Sequence, residues 1–82
     1  MHKYKRVEIE WSDASHYSDP RSHKEIRQEC ALQSVATIGY LVQKGRRFVK
    51  VSGEILEDGR LRDTSVIPRP EIKQIIYLEQ AK

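Results

Sequence analysis

The chain has one cysteine, three prolines, one tryptophan and one phenylalanine. Each scarcity excludes something. A lone Cys30 rules out an internal disulfide framework and fits a reducing, cytoplasmic compartment. No segment approaches the roughly 20 consecutive apolar residues that a membrane-spanning helix needs. The basic start, Met1-His2-Lys3-Tyr4-Lys5-Arg6, runs straight into an alternating segment without an apolar stretch, so it does not read as a signal peptide. Gly39, Gly45, Gly53 and Gly59 are scattered, which leaves no glycine-rich phosphate loop. Neither sign of charge dominates: 15 Lys and Arg against 12 Asp and Glu give a net charge of +3 and an isoelectric point near 9.2. That balance permits an anionic partner without requiring one.

What is present is a small globular chain. Its 82 residues are 38% hydrophobic and 33% charged, the range of a folded soluble domain. One domain over 1–82 is expected, burying roughly 60–65% of the surface of its unfolded chain. A core of that size supplies only a few kcal/mol, so a homo-oligomer is expected.

Most of the chain reads as β-structure. From Lys5 to Trp11, Val7, Ile9 and Trp11 alternate with Arg6, Glu8 and Glu10, the period of a half-buried strand. A loop over Ser12–Arg21 follows. Ser22-His23-Lys24-Glu25 matches a capping box and predicts a short helix through about Cys30, with Ile26 and Cys30 on one face for packing. Ser34–Val42 is rich in β-branched residues, and Gly39 within it predicts a bulge or tight bend. Lys44-Gly45-Arg46 closes a hairpin into Phe48–Leu56. Asp58-Gly59 predicts a type I′ turn into Leu61–Ile67. Pro68 and Pro70 stop that strand, one helical turn follows, and Lys73–Leu78 forms the last strand before a tail over 79–82. The expected fold class is therefore mainly β: a five-stranded SH3-like or Sm-like barrel with one short helix between its first two strands. A two-layer sheet covered by the helix is the structural alternative.

Val7-Glu8-Ile9-Glu10-Trp11-Ser12-Asp13, Ser34-Val35-Ala36-Thr37-Ile38-Gly39-Tyr40-Leu41-Val42, and Val66-Ile67-Pro68-Arg69 with Ile72, Ile75 and Leu78 carry a resemblance. The chain resembles an uncharacterised family of small bacteriophage and prophage proteins. Members usually carry a second tryptophan about eight residues after the first, and none stands between Tyr17 and Arg21 here. The resemblance implies a phage-type origin, hence a host cytoplasm, and a small β-barrel. It brings no activity with it.

Chemistry-bearing residues are few. Lys44, Arg46 and Arg47 sit at one hairpin tip, and strand directions carry Arg69 to the same end, while Arg60 and Arg62 fall at the opposite end. Arginine presents two parallel donors to phosphate, so Lys44, Arg46, Arg47 and Arg69 form a candidate anion site. Lys50 lies further along the same strand, and Tyr40 offers a stacking surface. The competing account is that solvated hairpin tips carry charge simply because charge blocks edge-to-edge aggregation. Trp11 continues the core face, and Asp13 reads as a loop cap.

His2, His16, His23 and Cys30 lack the tight spacing of metal ligands, so no metal or other cofactor is expected. Ser12, Asp13, Ser15 and His16 occupy one local loop rather than separate rigid elements, and Glu8 and Glu10 share the strand's solvated face with Arg6. The expectation is a non-enzymatic module that binds a nucleic acid or a nucleotide-like signalling molecule. The alternative is a protein-interaction module, a phage accessory factor for a host protein, with Trp11, Tyr17, Tyr40 and Phe48 as anchors.

Overall fold

The computed structural model describes residues 3–78; His2 and the expected tail over 79–82 lie outside the described residues. Strands β1 (Arg6–Asp13), β2 (Gln33–Lys44), β3 (Phe48–Ile55), β4 (Leu61–Pro68) and β5 (Ile72–Tyr77) form one antiparallel sheet in the order β4-β3-β2-β1-β5. Helix α1 (His23–Glu29) lies between β1 and β2, and a 3₁₀ turn, η1 (Arg69–Glu71), joins β4 to β5. The mainly β class, the strand number and the helix position agree with the sequence reading. The ladders leave β4 and β5 as the two sheet edges, bridged along the chain by η1.

One face of the sheet carries the core. Val7, Ile9, Val49, Val51 and Ile67 are fully buried, and Trp11, Leu41, Ile72 and Ile75 pack around them. Val7 and Ile9 come from β1 while Ile67 comes from β4, with β2 and β3 between them in the sheet. The sheet therefore bends strongly enough to bring these strands together. Trp11 holds its place by stacking on this cluster and donating its indole N–H to Thr37 Oγ1 at 2.9 Å, which satisfies the one polar group of a mostly buried ring.

Gly39 is needed for a reason different from the predicted bulge. It lies where β2 passes close under β3, and a Cβ there would sit 2.7 Å from the Ser52 carbonyl oxygen. The bulge falls two residues later, where Leu41 pairs with Val51 and Gln43 with Lys50. The 57–59 turn also departs from expectation. Gly59 has a φ of +90°, whereas Asp58 is absent from the positive-φ residues. The amide of Gly59 donates to the Leu56 carbonyl and that of Leu56 to the Arg60 carbonyl. This is a three-residue loop ending in a left-handed glycine, not a type I′ turn.

The helix is the larger correction. Its capping box forms as predicted: Glu25 N–H donates to Ser22 Oγ and Ser22 N–H to Glu25 Oε1. The expected packing of Ile26 does not occur, for α1 has no buried residue and Ile26 is 51% exposed. From Asp13 to Leu32 every residue is exposed except Arg21 and Cys30, which are half-buried. Arg21 gathers this insertion on itself, pairing with Asp19 and Glu29 and lying 4.9 Å from the Tyr17 ring centroid. The molecule is accordingly elongated, 54 × 27 × 22 Å, with a radius of gyration of 16.4 Å. A compact chain of this length would have about 12 Å.

Adding a methyl group at Gly39 forces two strand backbones apart, so Gly39→Ala is expected to lower stability by about 1–3 kcal/mol. Gly53→Ala, whose nearest neighbour would be 3.5 Å away, should leave the urea-unfolding midpoint nearly unchanged. Equal midpoints for the two variants would contradict the close-approach account.

Candidate anion-binding cleft at the hairpin end

The residues connecting β2 to β3 are held from two directions. Gly45 N–H donates to the Phe48 carbonyl at 2.9 Å, and a Cβ on Gly45 would lie 2.8 Å from that same oxygen, so only glycine closes the turn this tightly. From outside, Arg69 grips both shoulders of the turn. Its backbone N–H donates to the Arg47 carbonyl and its side-chain Nε–H to the Gly45 carbonyl, each at 2.9 Å. Pro68 and Pro70 flank it and fix the local backbone direction, since proline locks φ. The 3₁₀ turn and the hairpin tip thus form one rigid corner.

That corner encloses a cleft of about 550 Å³ lined by Arg46, Arg47, Phe48, Pro68, Arg69 and Pro70. Phe48, Pro68 and Pro70 supply apolar surface, and three guanidinium groups supply charge. No carboxylate lines it. A second hollow of about 200 Å³ adjoins it, sharing Arg46, Arg47 and Phe48 and adding Gln43, Gly45 and Lys50. Phe48 is 45% exposed, an unusual position for the sole phenylalanine of a chain with so small a core.

Of the sequence-predicted set, Arg46, Arg47, Arg69 and Lys50 gather at these two hollows. Lys44 does not line them. It turns to the core-facing side, where its ammonium lies 3.3 Å from Tyr77 Oη. Tyr40 does not line them either: it is half-buried, paired with Arg6 on one side and Ser52 on the other. Phe48 lines both hollows, whereas the sequence places it among the protein-contact anchors. Its adjacency to Arg47 at the first position after the turn was the available signal.

Electrostatic partners separate this end from the rest of the molecule. At the opposite end Arg60 pairs with Asp58 and Arg62 with Glu54, the latter through two parallel hydrogen bonds of 2.9 and 3.0 Å. In the insertion Arg21 is paired twice. Among the described residues Arg46, Arg47 and Lys50 enter no ion pair with a carboxylate. The Glu54 carboxyl is held below its ordinary range first by the hydrogen bonds that Arg62 donates to it and then by the Arg62 charge.

Beyond Pro68 lies a different groove, of about 420 Å³, between the base of the insertion and η1. Trp11, Leu32, Val66 and Pro68 make its apolar lining, and Asp13 and Glu71 its charged groups. Asp13 caps its own loop as expected, its Oδ1 accepting from Ala14 N–H at 2.8 Å. His16, Ser12 and Ser15 form no nucleophile–base pair with it, and among the described residues no three His, Cys, Asp or Glu side chains cluster as a metal site. Nor is any described helix long and apolar enough to cross a membrane.

The Glu54–Arg62 pair gives a pH signature. A carboxyl with a lowered folded-state pKa stabilises the fold above the ordinary carboxylate range and loses that contribution as pH falls through the lowered value. In Arg62→Gln, an NMR titration should find the Glu54 midpoint moved up to the ordinary glutamate range; an unmoved midpoint would show that Arg62 is not the cause.

No family model, curated protein or solved structure matches this chain.

Proposed function

We propose that this protein is a non-enzymatic, phage-type small barrel that binds an anionic partner, a nucleic acid or a nucleotide-like molecule, in the Arg46–Arg47–Arg69 cleft. One observation carries the reading: three arginines without a carboxylate among them share a concave surface with an exposed aromatic ring. Guanidinium groups hold phosphate oxygens through paired N–H donors, and an exposed ring stacks on an unpaired base whatever its identity. Arginines placed only for solubility gain nothing from sharing a cleft with Phe48. They also gain from pairing with nearby acids, as Arg60 and Arg62 do. The barrel part of the reading, SH3-like or Sm-like, rests on the strand order with η1 between the two edges and on the shared core of β1 and β4.

Replacing Arg46 and Arg47 together by alanine should lower affinity for single-stranded oligonucleotides about tenfold or more. It should also flatten the dependence of affinity on salt by roughly 1.4 log–log units, two phosphate contacts at about 0.7 each. Circular dichroism should be unchanged, since both side chains are exposed. Wild-type affinity in that variant would remove the reading.

The groove beyond Pro68 favours a second reading, a module that binds a host protein. Its apolar lining and its two carboxylates suit a segment carrying an apolar side chain beside a basic one. Leu32, 59% exposed, is its most open residue. Under this reading Leu32→Asp abolishes capture of a host partner while Arg46→Ala/Arg47→Ala leaves it intact at high salt; the reverse pattern would dismiss it.

A further inference from the structure

On the opposite side of the same hairpin, a second cationic group faces Tyr77. The ammonium groups of Lys5 and Lys44 each lie 5.6 Å from the centroid of the Tyr77 ring, and the ring is 46% exposed. Among the described residues neither lysine forms an ion pair. An exposed cation–π contact contributes only about 0.5–1 kcal/mol, and two ammonium groups drawn to one ring repel each other. Among the described residues the arrangement has no counter-charge. With both cations over the ring, Tyr77 is also less open to stacking than Phe48 is.

The register fixes how this site relates to the arginine cleft. Lys44 pairs with Val49 and shares its core-facing side, whereas Phe48 and Lys50 project from the other side of β3. The two cationic sites therefore lie on opposite faces of one β-ribbon, joined around its tip by Gly45, Arg46 and Arg47. Resting on the anion-binding reading above, we propose that the ligand is a single-stranded oligonucleotide that wraps this tip, with a base on Phe48, phosphates on Arg46 and Arg47, and a further phosphate on Lys5 and Lys44. A mononucleotide carries its phosphate beside its base and reaches one face only. A duplex keeps its bases stacked on each other and offers none to Phe48. A flexible single strand meets both demands, and small β-domains that bind such strands cover about four nucleotides or more.

The test is fluorescence anisotropy with a graded series of thymidine oligonucleotides, from the mononucleotide upward, on the wild type, on Lys5→Gln/Lys44→Gln and on Arg46→Ala/Arg47→Ala. In the wild type, affinity should climb at least tenfold between the dinucleotide and about four nucleotides. The lysine variant should bind the dinucleotide like the wild type but lose the climb, and its salt dependence for longer strands should flatten by roughly 1.4 log–log units. Tyr77 ring resonances should shift with the longer strand and not with the mononucleotide. A lysine variant that keeps the climb, or a wild type that binds mononucleotide as tightly as the longest strand, overturns the wrapping path while the arginine cleft stands. An arginine variant that binds every length like the wild type overturns the cleft itself.

Discussion

The grip of Arg69 on the β2–β3 turn is the contact on which the basic end of this molecule depends. A turn tip bearing Arg46 and Arg47 would otherwise be a solvated loop. Two hydrogen bonds from one residue, backbone to the Arg47 carbonyl and side chain to the Gly45 carbonyl, fasten it to η1. The same contact sets Phe48 beside Pro68, its partner in the β3–β4 ladder. Rigidity matters here because a preorganised donor set loses less entropy on binding than a floppy one. It also divides the labour among the arginines: Arg69 uses its Nε–H to build the corner, and Arg46 and Arg47 remain exposed.

The rest of the structure is economical around that corner. Among the described residues five buried aliphatic side chains form the centre of the core, drawn from β1, β3 and β4. Its exposed surface of 6721 Å² exceeds by about a third the roughly 5,100 Å² expected of a compact 9.6 kDa monomer. The insertion over 14–32 is exposed throughout except at Arg21 and Cys30, and it organises itself around Arg21. A segment stabilised by its own cap and ion pairs, standing off the body, forms one wall of the groove at Trp11 and Leu32. The molecule thus has two concave surfaces of opposite charge on either side of Pro68.

Local signals were read well from the sequence. Alternation located β1, the turn residues located the hairpins, and Ser22 with Glu25 located the helix start, because each depends on contacts within a few residues. The misreadings share a physical cause. Gly39 looked like a bulge or tight bend, and its need for a missing side chain comes from the Ser52 carbonyl on another strand. Asp58-Gly59 looked like a type I′ turn, yet Asp58 does not adopt the positive φ that turn requires, and the extra residue Glu57 makes a longer loop. Ile26 looked like a packing residue, yet it stays 51% exposed and α1 buries no residue. Its place in the sequence groups Lys44 with the arginines, yet the strand pleat sends its side chain through to Tyr77.

By itself, the order of apolar, turn and capping residues determined that this chain forms five antiparallel strands and one short capped helix, and that cationic side chains stand at hairpin tips. Those outcomes follow from backbone sterics and the two-residue period of a strand. Tertiary structure alone decided which cations share a surface. Guanidinium and ammonium groups from residues far apart in sequence meet or separate according to sheet bend, ladder register and the bulge in β2, and no local pattern encodes these. Hence Arg69 joins Arg46 and Phe48, while Lys44, two residues from Arg46, belongs to Tyr77 on the other face.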